Sequence, residues 1–172
     1  ELNLSNPEVN EAYFAAVASL SSNTEKGSVL RQAINTYQLS GDSWQSLFYT
    51  VGKMSSSTEM GSVLRTSISE MPFEVETLNH FFSASDRMSS NTEKGRVLRA
   101  VASDQRFNKT AALGVLSSAG IMTSNTEKSS VLRAVAKTSQ IRDEEVKAAY
   151  LAAARTLTSD SDYRNVMDAL LD

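Results

Sequence analysis

The 172-residue chain contains no cysteine. Disulfides, thiolate zinc sites, iron–sulfur clusters and thiol nucleophiles are therefore excluded. It has one histidine, His80. A Ser-His-Asp centre would have to use it, and a site of several histidines cannot form. Only two prolines interrupt the chain, and aromatic residues make up 7%. With so few helix breakers, a composition led by Ser, Ala and Leu, with Glu and Arg frequent, points to an all-α fold. Apolar runs are short; the longest covers residues 12–18, against the ~20 a membrane span needs. No membrane insertion is expected. A surplus of one charge sign is also lacking: 17 basic against 20 acidic residues give a net charge of −3. Nucleic-acid binders are usually basic, so nucleic acid is an unlikely partner. The first residue is Glu1, which reads as a processed product or an excised segment. A removed signal peptide would fit, and an exported, periplasmic bacterial location is favoured slightly over a cytoplasmic one.

What is present is a repeat. Ser22-Asn-Thr-Glu-Lys-Gly-Ser-Val-Leu-Arg31 recurs as Ser56-Ser-Thr-Glu-Met-Gly-Ser-Val-Leu-Arg65. It recurs again as Ser90-Asn-Thr-Glu-Lys-Gly-Arg-Val-Leu-Arg99 and Ser124-Asn-Thr-Glu-Lys-Ser-Ser-Val-Leu-Arg133. A decayed fifth copy is Ser159-Asp-Ser-Asp-Tyr-Arg-Asn-Val-Met-Asp168. The leading serines stand 34, 34, 34 and 35 residues apart.

Each copy opens a helix, here called A. Serine followed three residues later by glutamate is a capping box, with an acid at the positive end of the helix dipole. Beyond the cap, Val29, Leu30, Ala33 and Ile34 share one face, as do their counterparts in each copy. A second helix, B, fills the rest of each period. Its stripes are Trp44, Leu47, Phe48, Val51; then Leu78, Phe81, Phe82, Ser85; then Ala112, Val115, Leu116, Ala119; then Lys147, Tyr150, Leu151, Ala154. Asn6 and Pro7 read as N-cap and first helical residue. Asp42 with Gln45 reads as another cap, and Pro72 as a first-turn residue of its helix. Gly27, Gly61 and Gly95, with Ser129, share one register in helix A and imply a close approach by a neighbouring helix.

The expected architecture is an all-α, right-handed α-α superhelix, or solenoid, of about five ~34-residue helical hairpins. It forms one domain over 1–172: a half-unit (1–21), repeats 22–55, 56–89, 90–123 and 124–158, and a C-terminal capping helix (159–172). The tetratricopeptide pattern is met only by Trp44 and Leu47, so that subclass does not fit. The segments Lys147-Ala-Ala-Tyr-Leu-Ala-Ala-Ala-Arg-Thr-Leu157 and Thr158-Ser-Asp-Ser-Asp-Tyr-Arg-Asn-Val-Met167 resemble HEAT-like bacterial α-helical repeats, which carry a Ser-Asp-Tyr-Glu-Lys-x-x-Val-Leu motif after a long B helix. The resemblance implies architecture and no catalytic residue; some such repeats accompany antibiotic-sensor-type membrane peptidases.

The candidate partner-binding residues are Arg31, Arg65, Arg99, Arg133, Tyr37 and Tyr49. The four arginines follow the core leucine in every full copy and would form a row with a step of about 10 Å. They could grip carboxylates or phosphates of an extended partner, since guanidinium forks bind these bidentately. Equally, each could bond an acid next door, because Glu25, Glu59, Glu93 and Glu127 repeat with them. Tyr37 and Tyr49 fall off the core stripes and suit surface anchors. Lys26, Lys94 and Lys128 read as solvated, and His80 as a surface or edge residue. Asn108 opens an Asn-x-Thr sequon. No catalytic residue, metal ligand or cofactor is expected. The function expected is a non-enzymatic protein- or peptide-binding scaffold, with its oligomeric state open. The alternatives are a regulatory or sensor module of a larger bacterial envelope protein, or a helical-repeat RNA binder.

Overall fold

The computed structural model describes residues 2–171; Glu1 and Asp172, the outer ends of the half-unit and of the capping helix, lie outside the described residues. Among the described residues there are ten α-helices and no strand. They are α1 (Pro7–Ser19), α2 (Asn23–Thr36), α3 (Gly41–Gly52), α4 (Ser57–Ile68) and α5 (Val75–Asp86). The remainder are α6 (Asn91–Ala102), α7 (Lys109–Gly120), α8 (Asn125–Ala136), α9 (Glu144–Ala154) and α10 (Asp160–Leu171). A short 3-10 helix, Ser139–Arg142, precedes α9. Even-numbered helices are the A helices and odd-numbered ones the B helices, so the order B, four A-B pairs, then A is the one expected. Within each compact part of the chain, helical hairpins pack side by side, compatible with a helical-repeat fold.

The chain divides into two compact units, one up to Ser90 and one from Asn91 onward. In the first, α3 packs between α1 and α5, while α2 packs on α4. In the second, α8 packs between α6 and α10, while α7 packs on α9. Each unit therefore holds an A layer and a B layer, with apolar stripes between them.

Local chemistry starts the helices. The hydroxyls of Ser22, Ser56, Ser124 and Ser159 accept from the N–H groups of Glu25, Glu59, Glu127 and Asp162, at 3.2–3.4 Å. Each such bond contributes about 1 kcal/mol. The second half of the capping box does not form at Glu59 and Glu127, because their carboxylates face arginines of the preceding A helix instead. Asn6 caps α1, with Pro7 at its first position.

Two expected starts are corrected. Ser40, not Asp42, caps α3, accepting from the Ser43 N–H; a hydroxyl two residues upstream wins that role. Pro72 lies in the connection before α5, whose cap position is Glu74. The core stripes of α3, α5 and α7 are buried as expected. In α9 the buried set is Val146, Tyr150, Ala153 and Ala154, and Lys147 instead turns outward to Glu144 at 2.9 Å.

Candidate functional site

The repeated motif turns out to be a set of contacts between packed helices, and its Arg and Glu join neighbouring repeats. Arg31 on α2 reaches Glu59 on α4 at 3.1 Å and donates to Ser62 Oγ at 3.2 Å. Arg99 on α6 reaches Glu127 on α8 at 2.9 Å. In both rungs the partner lies 28 residues ahead, in the following copy. The small residue of the motif explains itself here. A Cβ at Gly27 would stand 2.5 Å from Glu59 Oε2 and 2.9 Å from Arg31 Nη1. At Gly95 the corresponding distances, to Glu127 Oε2 and Arg99 Nη1, are 2.5 and 3.0 Å. The ion pair lies across the glycine, so what approaches closely is a pair of side chains, not a neighbouring backbone.

The second motif residue is a staple within its own repeat, tying the start of the A helix to the segment after the following B helix. Asn23 donates from Nδ2 to Ser55 Oγ (2.9 Å), and its Oδ1 accepts the Ser55 N–H (3.1 Å). Asn91 holds Thr123 and Asn125 holds Thr158 in the same two-bond fashion. Ser57 replaces the asparagine in the second copy and accepts from the N–H groups of Ser89 and Ser90.

The lysine position is not solvated throughout. Lys94 is 6% and Lys128 3% exposed, and Met60, at the same register, is 1% exposed. Lys128 donates to the Thr156 carbonyl and hydroxyl beyond the end of α9. Burial lowers its pKa. A buried position suits an apolar stem, and the carbonyl end of α9 in the same repeat receives the ammonium.

The other candidates separate. Arg65 is half-buried on α4, and Arg133 is exposed on α8. Tyr37 is half-buried at the end of α2, beside the N-terminal residues Leu2–Ser5. Tyr49 is 67% exposed on α3. Lys53 Nζ lies 5.0 Å above its ring centroid.

Tyr49 and Lys53 line a groove of about 440 Å³ across α1, α3 and α5 in the first unit. Its apolar floor includes Phe14, Phe48 and Ala84. Arg87, the cap residue of α5, lays its aliphatic arm over Gly52, where a Cβ would meet Arg87 Cδ at 3.0 Å. His80 contributes a half-exposed imidazole, and Glu11 stands on α1. An acid on one outer helix thus faces a set of bases on the other two. Neither Tyr37 nor any of the four arginines lines this groove.

Sequence reasoning missed Glu11, Lys53 and Arg87. The available signal was their place on B helices and B-helix ends, away from the core stripe, with Lys53 four residues after Tyr49. Among the described residues no group of three or more metal-ligating side chains forms, and no helix is long and apolar enough to cross a membrane. No family model, curated protein or solved structure matches the chain.

Proposed function

We propose that this chain is a non-enzymatic binding scaffold and that the α1–α3–α5 groove takes a peptide segment of a protein partner. One observation carries the reading: a 440 Å³ groove whose rim presents Tyr49, 67% exposed. The volume lies within the range of ligand pockets. A tyrosine ring offers a large contact area with little rotamer entropy to lose, which makes it a strong anchor. Lys53, Arg87 and Glu11 supply charges of both signs for orienting a peptide. The A-helix arginines are secondary in this reading, since Arg31 and Arg99 already hold carboxylates of their own chain. The HEAT-like repeat family remains part of the proposal as architecture.

The test is selection of peptides from a random display library on the folded protein, followed by fluorescence anisotropy with the winners. Tyr49→Ala is expected to weaken binding about 10-fold or more while leaving the circular dichroism spectrum unchanged. Winners that bind Tyr49→Ala and Arg87→Ala as tightly as the parent would sink the groove as the site.

A further inference from the structure

The ladder of ion pairs breaks at its last rung, and the break leaves a cationic site. In the third copy Gly95, Arg99 and the following Glu127 form a closed unit. In the fourth, Ser129 stands in the glycine register and Asp162 in that of the acid. Both changes oppose pairing. A serine Cβ occupies the space across which the carboxylate would lie, and aspartate is one methylene shorter. The copies are also 35 rather than 34 residues apart here. Arg133 accordingly forms no ion pair among the described residues and is exposed, whereas Arg99 is half-buried.

The freed guanidinium does not stand alone. Arg133 and Lys137 lie four residues apart along α8 and its end, and both line a depression of about 500 Å³. Lys137 also lines an adjoining depression of about 720 Å³ with Arg142 and Lys147. Lys147 is held by Glu144, and Arg99, on the first depression, by Glu127. That leaves Arg133, Lys137 and Arg142 as three exposed cations with no ion-pair partner among the described residues. Apolar surface runs beside them, from Ala136, Ile141 and Leu170.

From this arrangement we infer that the second unit carries a docking site for an acidic, amphipathic peptide segment, with its carboxylates on Arg133, Lys137 and Arg142 and its apolar residues on Ile141 and Leu170. The site is separate from the α1–α3–α5 groove and does not depend on it. A peptide is favoured over a nucleic acid for two reasons. Three cations match a short acidic motif, and the chain's net charge of −3 repels a long polyanion.

The probe is a labelled 14-residue peptide of alternating Glu-rich and Leu positions, beside a counterpart with Gln for every Glu. Binding is read by anisotropy at low salt, where exposed charges are least screened. The acidic peptide is expected to bind at least 10-fold tighter than the Gln peptide. Arg133→Ala/Lys137→Ala should lose at least 10-fold, and Tyr49→Ala should lose nothing. Ser129→Gly/Asp162→Glu should rebuild the rung and weaken binding several-fold without altering net charge. Equal binding of the two peptides would overturn the site, as would indifference to both double variants. Tighter binding of a 20-nucleotide oligouridine than of the acidic peptide would overturn its assignment to a peptide. Loss of binding in Tyr49→Ala alone would move the acidic peptide to the groove and also overturn it.

Discussion

The A layer and the B layer differ in kind. Helices α2, α4, α6 and α8 are near-copies, whereas α3, α5, α7 and α9 share little beyond where their apolar residues fall. Among the residues that recur, the paired Arg and Glu join one repeat to the next across the motif glycine, and the Asn or Ser staple ties each A helix to the end of its own repeat. Residues that do not recur set each hairpin apart. In the first unit the B layer is aromatic. Trp44 stacks on Phe48 at 5.6 Å, Phe48 meets Phe81 edge-on at 5.5 Å, and Phe81 meets Phe82 at 5.4 Å. In the second unit the same layer is built from Ala111, Ala112, Val115, Leu116 and Ala119, then Tyr150. Repetition along this chain marks assembly, and departure from it marks individuality, whether in the groove of the first unit or the open rung of the second.

Five substitutions sharpen the contrast. Phe48→Ala removes a ring with 1% exposure that makes contacts on two sides. It should cost about 3–5 kcal/mol in urea unfolding. A loss under about 1 kcal/mol would show that the aromatic cluster is not what consolidates the first unit.

Tyr150→Phe probes the second unit. The buried Tyr150 hydroxyl donates to the Val166 carbonyl at 2.7 Å, and burial pushes its pKa up to about 12. The folded value lies above the unfolded one of about 10. The unfolded chain therefore loses this proton first as pH rises, and stability falls between about pH 10 and 12. The phenylalanine variant should lose about 1 kcal/mol at neutral pH and show a shallower alkaline decline. Parallel stability curves above pH 10 would contradict this.

Gly95→Ala and Ser129→Ala make a matched pair on the A layer. Alanine is a better helix former than glycine by about 1 kcal/mol. At residue 95, however, the added carbon would displace the Glu127 carboxylate, and the net effect should be a loss of about 1 kcal/mol. At residue 129 no ion pair is at stake, and a gain of up to about 0.5 kcal/mol is expected. Thermal melts giving both changes the same sign would remove the ion pair as the reason for the glycine.

A small effect is also expected for Lys128→Met, which copies Met60 of the second repeat. The change should stay within about 1 kcal/mol of the parent at neutral pH. Desolvation lowers the Lys128 pKa in the fold, so the buried ammonium is penalised at neutral pH, and that penalty fades as pH rises from the lowered folded value to the unfolded one of about 10.4. Any advantage of methionine should therefore shrink in alkali. A constant difference from pH 7 to 11 would show that Lys128 is not desolvated.

Much of the fold was legible because helix caps and stripes are local. Ser22 and Glu25, or Trp44 and Phe48, lie within four residues of each other, and their spacing alone places them on one helix. Pro72 and Asp42 misled because several polar or turn-forming residues compete at a helix start, and the choice depends on where the preceding helix ends. The groove was legible only in Tyr49, since a residue off the core stripe reads as exposed without showing what stands beside it.

The order of ten helices, their serine caps and the apolar stripes follow from the amino-acid sequence by itself, because each rests on backbone periodicity within one or two turns. The tertiary structure alone decided that Arg31 and Arg99 spend their charge on Glu59 and Glu127, that Lys128 is buried and that Arg133 is open. The two ion pairs depend on side chains 28 residues apart, brought within hydrogen-bonding distance only when one hairpin packs on the next. One carbon at a glycine, or one methylene in an acid, then determines whether the charges meet.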